Sequence, residues 1–429
     1  MSTIALPRRQ RGAATLMVVM VLFFVVSMVA AYASRNLLFE QKTAANQYRS
    51  TAALEAAEAG LGWATSLLNG GRIDPTCLPS ANPANNSFRE RYLAIDDTGT
   101  ITPRTLPAPS TAALNPSCVF NGNAWQCSCP ADANPVLAVP AGTDMFPAFR
   151  LRFVAIAGRP GLVRVEVNAC TRADDACLNF PATGASNEAR VTVSAILALK
   201  GGVATIPGAA LTAREGVNLT GNTFTIANAD PRSGVTINAG QGINSTGSTL
   251  VTVAGSPGSL STVENDLSLQ PAQVADGDAM FARTFGAWPL DYRDQPGVVV
   301  INCAGNCTAT QVRDAIAQSP GLPIWLNGGF DIDSGGDIGT EAQPVAIVAT
   351  GGVQFSAAAD VYGLLYTRAA TWAPAGAAGA TLRGAMVAEN AILGAGGSTA
   401  TLNYDATILN RVRQKTGSFV VVPGSWRDF

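Results

Sequence analysis

Three textures of hydrophobic and polar positions follow one another along the chain. From Ala13 to Ala33 no charge interrupts a run dominated by Val, Leu, Met, Phe and Ala. At about 1.5 Å per residue this run reaches roughly 31 Å, enough to cross a bilayer core. Helix-forming composition then continues. Thr43 to Leu68 is rich in Ala, Leu, Glu and Gln and contains no proline. The pattern predicts one helix from about Ala13 to Leu68, on the order of 80 Å long, stopped by Gly70-Gly71. Its first half would sit in lipid and its second half would pack on an extracytoplasmic domain.

The second texture begins with a stretch rich in Pro, Asn, Ser and Ala, Asp74 to Pro147, which reads as loop. Strict alternation follows in Phe149–Phe153, Val163–Val167 and Arg190–Ala195, with a turn signal at Gly158–Gly161. This predicts a half-buried antiparallel meander, with Arg150, Arg152 and Arg164 on its solvated face. From Lys200 short apolar strands recur between Gly, Asn and Ser. Val217–Leu219, Phe224–Ile226, Val235–Ile237 and Leu250–Val253 form one set. Val345–Ile347, Val353–Phe355, Val361–Leu364 and Leu382–Met386 form another, its last two members aligning through Gly363 and Gly384. Coils of about 20 residues suit a β-solenoid or β-roll, with a β-sandwich as the alternative. Between the sets, helical patches at Pro271–Phe285 and Thr310–Gln318 and a strand at Val298–Ile301 read as an insertion or cap.

The fold class is therefore α+β: a long N-terminal helix packed on an antiparallel sheet, followed by a large Gly-rich β domain. The expected divisions are 1–12 (cytoplasmic leader), 13–33 (membrane half of the helix) and 34–70 (its outer half). A disulfide-stapled headgroup follows at 71–199. The Gly-rich domain occupies 200–410, with its helical insertion near 264–325, and a tail strand covers 411–429. Arg8, Arg9 and Arg11 precede the apolar run without an acid, which places the leader in the cytoplasm and the rest outside. A conventional signal peptide cut after Ala31-Tyr32-Ala33 is the rival reading of the same segment.

Composition narrows the chemistry. Charged residues make up 14% of the chain, against a norm of roughly 25%, and Gly is abundant at 43. A net charge of −2 gives no electrostatic basis for nucleic-acid binding. There is no histidine, which removes Ser-His-Asp and Cys-His catalysis and histidine-ligated zinc. Lysine occurs only at 42, 200 and 415. No enzymatic activity and no cofactor are expected.

All eight cysteines follow the apolar run, which reads as disulfide bonding in an oxidising compartment. Close spacing suggests Cys303 with Cys307 and Cys170 with Cys177. Cys77, Cys118, Cys127 and Cys129 then pair among themselves, with Cys127–Cys129 the least comfortable choice. Asp331, Asp333 and Asp337 stand in a Gly-containing turn whose spacing could hold a structural Ca²⁺. An Asp/Gly turn explains the same residues, as would, more remotely, an acid pair acting on a polysaccharide. The apolar tail Val420–Phe429 would tuck onto the headgroup as a last strand, or pair with a partner's sheet edge.

The stretch Arg11-Gly-Ala-Ala-Thr-Leu16 ahead of the apolar helix resembles the class III signal of type IV pilin-like proteins. The later Glu55-Ala-Ala-Glu58-Ala-Gly60-Leu61 is similar to the second half of the helix in PilX-type minor pilins, and the tail Ser418–Phe429 looks like the ending of their larger members. The resemblance implies cleavage by a prepilin peptidase after Gly12 and methylation of Ala13. It implies an inner-membrane precursor that is later part of a filament. The implied partners are the major pilin and other minor pilins through the N-terminal helix, and a PilC/PilY-type tip adhesin. Most pilins carry glutamate at the fifth mature position, where this chain has Met17. Members lacking it include the GspK-type pseudopilins of type II secretion, so Met17 hints at a place at a filament tip. The rival functions are a GspK-like pseudopilin and a membrane-anchored β-solenoid enzyme acting on polysaccharide.

Overall fold

The computed structural model describes residues 11–110, 112–133, 135–142, 145–181, 188–270, 277–369, 371–372, 379–394, 397 and 399–428. Most of the expected leader and the start of the Pro271–Phe285 patch lie outside the described residues.

Helix α1 runs unbroken from Arg11 to Leu68. Gly60 and Gly62 do not stop it, because Gly60 has a packing role. A Cβ there would come within 2.8 Å of Val167 and 2.9 Å of Phe149. The short helix α2 (Phe88–Tyr92) follows, started by a reciprocal capping box between Ser87 and Glu90. Five strands then build the headgroup sheet: β1 (Ser117–Phe120), β2 (Trp125–Ser128), β3 (Ala148–Ala155), β4 (Leu162–Cys170) and β5 (Arg190–Gly201). The order is β2-β1-β3-β4-β5, and the C-terminal strand Gly417–Val421 and the short strand Arg427–Asp428 both pair with the outer edge of β5. Every pairing is antiparallel. The last third of α1 lies across β3, β4 and β5. Alternation puts Leu151, Phe153, Val163, Val165, Val167, Val193, Ala195 and Leu197 under the helix, all buried.

One Arg of the meander departs from the solvated-face expectation. Arg150 is only 8% exposed; its guanidinium donates to Ser117 Oγ at 3.0 Å and pairs with Asp175 at 2.9 Å. Alternation fixes which face a side chain leaves from, but here that face is covered by the segment carrying Asp175.

Beyond β5 the sheets are parallel. The principal strands are β6 (Ala209–Ala213), β7 (Thr225–Ala227), β8 (Val235–Ala239) and β9 (Thr249–Val251). Helix α3 (Gly277–Phe285), strand β10 (Val299–Thr308) and helix α4 (Ala309–Gln318) follow. Then come β11 (Ile324–Asp331), β12 (Val345–Ala349), β13 (Asp360–Thr367), β14 (Thr381–Ala388) and β15 (Thr401–Tyr404). Helix α5 (Ala406–Lys415) leads back to the headgroup. The longest path in the main sheet is β9-β7-β15-β14-β13-β12-β11-β10, with β6 joining β14 to β8. A smaller parallel sheet joins Ile243–Asn244, Val217–Asn218, Ala391–Leu393 and Thr371–Trp372.

This stack is threaded from its middle. The chain enters at β6, which pairs with β14, and winds outward through β8. It then crosses to the opposite edge at β10 and returns strand by strand to β14. The strand expected at Val298–Ile301 is thus the edge of the main sheet and not a cap, and Ile324–Asp331 is its neighbour. Local periodicity could not reveal this, because parallel pairing between distant segments leaves no mark on either. Gly363 and Gly384 do stand in register on neighbouring strands. Both have positive φ, at 143° and 141°. A Cβ at Gly384 would sit 1.9 Å from the Gly363 carbonyl oxygen, so the corner accepts only glycine.

The stack leaves and rejoins the headgroup at one place. Gly201 and Gly417 are cross-strand partners, and Gly202 N–H donates to the Thr416 carbonyl at 2.9 Å. The β domain is an insertion between two adjacent strands of the headgroup sheet. The expected boundary at 410/411 falls inside α5. Asp405 caps that helix and Ile408, Leu409 and Val412 bury one of its faces, so the tail strand starts at Gly417 instead.

Candidate assembly surface

Apolar residues normally bury themselves, and the first half of α1 does the reverse. Residues 14–51 are exposed throughout. Met17 is 72% exposed and Phe23 74%, and no charge lies between Ala14 and Ser34. At 1.5 Å per residue this half projects roughly 57 Å. The helix is long and apolar enough to cross a membrane. Charges return only at Arg35, Glu40, Lys42 and Arg49. Ala30, Ala31 and Ala33 give this surface small side chains that let a second helix approach closely.

The second half of α1 is held by small residues and one aromatic. Ala53, Ala56, Ala57 and Ala64 are buried against the sheet. Trp63 meets Phe88 and Phe149 edge-on, with ring centroids 5.4 and 5.5 Å away. The end of the helix is tied to the C-terminal strand. Asn69 donates to the Phe419 carbonyl at 2.8 Å and accepts the Phe419 N–H at 2.7 Å, imitating a strand partner. Arg89, 4% exposed, donates to the carbonyls of Leu68, Gly321 and Gly417 and lies over the Phe419 ring. Burial pulls its guanidinium down to about 10, with Glu90 opposing the shift, so it stays charged at neutral pH. One side chain therefore joins helix, insertion and tail. Nothing in the local pattern marked Asn69 or Arg89, because the partners that tie them to the insertion and tail, Gly321, Gly417 and Phe419, lie hundreds of residues away.

Gly12 and Ala13, the expected processing positions, fall in the first turn of α1, and Met17 lies on its exposed apolar surface. The cysteines form four bridges: Cys77–Cys129, Cys118–Cys127, Cys170–Cys177 and Cys303–Cys307. Cys118 and Cys127 are cross-strand partners of β1 and β2. Cys77–Cys129 pins the loop after α1 to the end of β2, where Arg91 adds donations to the carbonyls of Ile73, Asp74 and Cys129.

Asp331, Asp333 and Asp337, the Ca²⁺ candidates, follow one another through the end of β11 and the turn after it. Among the described residues no three His, Cys, Asp or Glu side chains gather into a group able to hold a metal ion. Asp333 and Asp337 are exposed at the end of β11, and Asp333 instead accepts the Ala309 N–H at 3.1 Å, at the start of α4.

A charged cluster that sequence reasoning did not single out fastens α3 to the stack. Glu389, 3% exposed, accepts from Arg368 at 2.8 Å and from the Tyr366 hydroxyl at 3.1 Å. Arg368 also pairs with Asp278 and lies over the rings of Phe281 and Trp325. Desolvation raises the Glu389 carboxyl and the Tyr366 phenol. Every charge here is satisfied within the fold, as packing requires.

Comparison with known proteins bears on α1. A search of curated proteins found no match. Among solved structures, the crystal structure of competence-associated pilin ComZ from Thermus thermophilus matches at 12% identity. The match covers 89% of this chain and 97% of that one, at a TM-score of 0.22. Residues 11–61 match the PilX N-terminal family model. That span runs from the start of α1 through its exposed apolar half to the first turns buried on the sheet, so the chain carries an N-terminal segment of the PilX type.

Proposed function

We propose that the protein is a minor pilin of a type IV pilus. The precursor sits in the inner membrane through the apolar half of α1, leader inward. A prepilin peptidase cuts after Gly12 and the new N-terminus at Ala13 is methylated. The exposed half of α1 then packs against the helices of the major pilin and other minor pilins. The observation that carries this reading is the exposed, uncharged surface of α1 from Ala14 to Ser34 within a PilX-type segment. A helix of that kind needs lipid or other helices around it.

Met17 supports a place at the tip. A carboxylate in lipid is costly unless paired, so its loss also removes the pairing it would give a neighbour's N-terminus. A tip subunit has no further neighbour of that kind to hold. The stacked parallel strands would form a β-solenoid displayed beyond the headgroup, where a PilC/PilY-type adhesin could meet it. The protein acts as substrate and structural subunit and catalyses no reaction.

Cysteine cross-linking tests the assembly. With Ala30→Cys on α1 and a matching cysteine in a minor pilin, oxidation should yield a mixed dimer in sheared filaments. Cross-links confined to type II secretion pseudopilins would favour the GspK-like role. No cross-link to any helix-bearing subunit would contradict the assembly model.

A further inference from the structure

We propose that the cleft between the headgroup and the inserted stack binds an acidic peptide segment. The cleft consists of two hollows, of about 280 and 290 Å³, that share Glu90, Arg104 and Gln343 as a common wall. Arg89 and Lys415 line the first hollow and Arg91 lines the second. Four cations thus face the cleft against one lining acid. That acid is already used. Glu90 Oε2 accepts from the Ser87 N–H and hydroxyl, both at 3.1 Å, and Oε1 accepts from Gln343 at 3.2 Å.

The cations are not equally occupied. Lys415 pairs with Asp97 at 2.5 Å, and Arg89 gives its donors to three carbonyls. Arg104 is exposed, and among the described residues its side chain makes one donation, from Nε to the Leu93 carbonyl at 3.3 Å. Arg91 is 4% exposed, and its Nε is a buried donor without a hydrogen-bond partner among the described residues. Its terminal nitrogens donate to the backbone carbonyls of Ile73, Asp74 and Cys129, so Arg91 lends the second hollow positive charge and not a free donor. A carboxylate in the second hollow would accept from the terminal nitrogens of Arg104, a charge-assisted bond, beside the positive charge of Arg91.

The first hollow adds the second part of the specificity. Leu93, Ile95, Pro320 and Pro344 give it apolar walls. An apolar side chain next to an acidic one would fill both hollows. A sugar acid would satisfy the cations but leave the apolar walls wet, so the observations favour a peptide. The cleft also lies between two parts of the fold, a common place for ligand sites. Its occupant would bridge α2 in the headgroup to the stack segment at 342–344.

The test uses full-length protein in detergent micelles and a fluorescein-labelled peptide alternating Glu and Leu. Fluorescence anisotropy should show saturable binding that weakens as salt rises. Arg104→Glu should weaken it at least tenfold, Arg104→Lys much less, and Lys415→Glu should also weaken it. Arg104→Glu should leave the thermal melt unchanged, since the residue is exposed and holds one backbone contact. Three results would overturn the proposal. These are equal affinity for a Lys-Leu peptide, affinity indifferent to both charge reversals, and saturable binding of oligogalacturonate in the absence of peptide binding.

Discussion

From Leu16 to Phe39 helix α1 carries Leu, Val, Met and Phe side chains that are more than half exposed, while from Ala53 to Leu68 it buries mainly Ala, with Gly60 and two leucines. The more apolar half is the unburied one. Burial of large side chains is worth roughly 1.5–3 kcal/mol each, so leaving so many of them in water would be untenable. Their partners are therefore outside this chain. The buried half uses small residues for a different purpose. They let the helix axis approach the sheet, and stability then comes from close packing with Trp63, Phe88 and Phe149. One helix thus has an intermolecular half and an intramolecular half.

This division can be broken in two places. The largest effect is expected from Val21→Asp. A carboxylate at the centre of the apolar half costs about 2.5–3.5 kcal/mol of membrane insertion. The protein should shift from the membrane to the soluble or degraded fraction, read by fractionation and immunoblot, while any intact headgroup melts at its usual temperature. Gly60→Leu should do the opposite. The larger side chain collides with Val167 and Phe149, costing up to about 3 kcal/mol. Its melting temperature should fall while membrane partitioning stays unchanged.

Two smaller changes sharpen the account of the junction. Asn69→Ala leaves the buried N–H and carbonyl of Phe419 without their partner, a loss of roughly 1–2 kcal/mol. Amide exchange should accelerate first along Gly417–Val421. The smallest effect comes from pH. Hydrogen bonds from Lys415 and Arg411 hold the Asp97 carboxyl below its ordinary value. A depressed acid stabilises the fold above the unfolded value near 3.8 and loses that contribution as pH falls through the folded value. Protection of the α5 amides around Arg411 and Lys415, taken relative to intrinsic exchange, should therefore fall only in acid, and Asp97→Asn should remove that acid-dependent step.

Legibility followed the range of each interaction. The span of α1 was readable because an uncharged run and good helix formers act locally, and the meander because alternation is a property of each strand alone. Gly363 and Gly384 stood out because they recur at matching places in two apolar strands, while the positive φ that each adopts is visible only in the fold. Spacings of four and seven residues pointed to Cys303–Cys307 and Cys170–Cys177. Choosing Cys77–Cys129 and Cys118–Cys127 required the β1–β2 register. What stayed hidden was long-range. The middle-out threading of the stack, the edge position of Val299–Thr308 and the burial of Arg150 all depend on distant segments. So do Asn69 and Arg89, whose partners Gly417 and Phe419 come from the other end of the chain.

The mature N-terminus tests the central claim most directly. Mass spectrometry of the protein from cells with and without the prepilin peptidase should show a methylated Ala13 in the first and an uncut leader in the second. Cleavage near Ala33, or the same uncut chain in both, would contradict the intermolecular role assigned to the exposed half of α1.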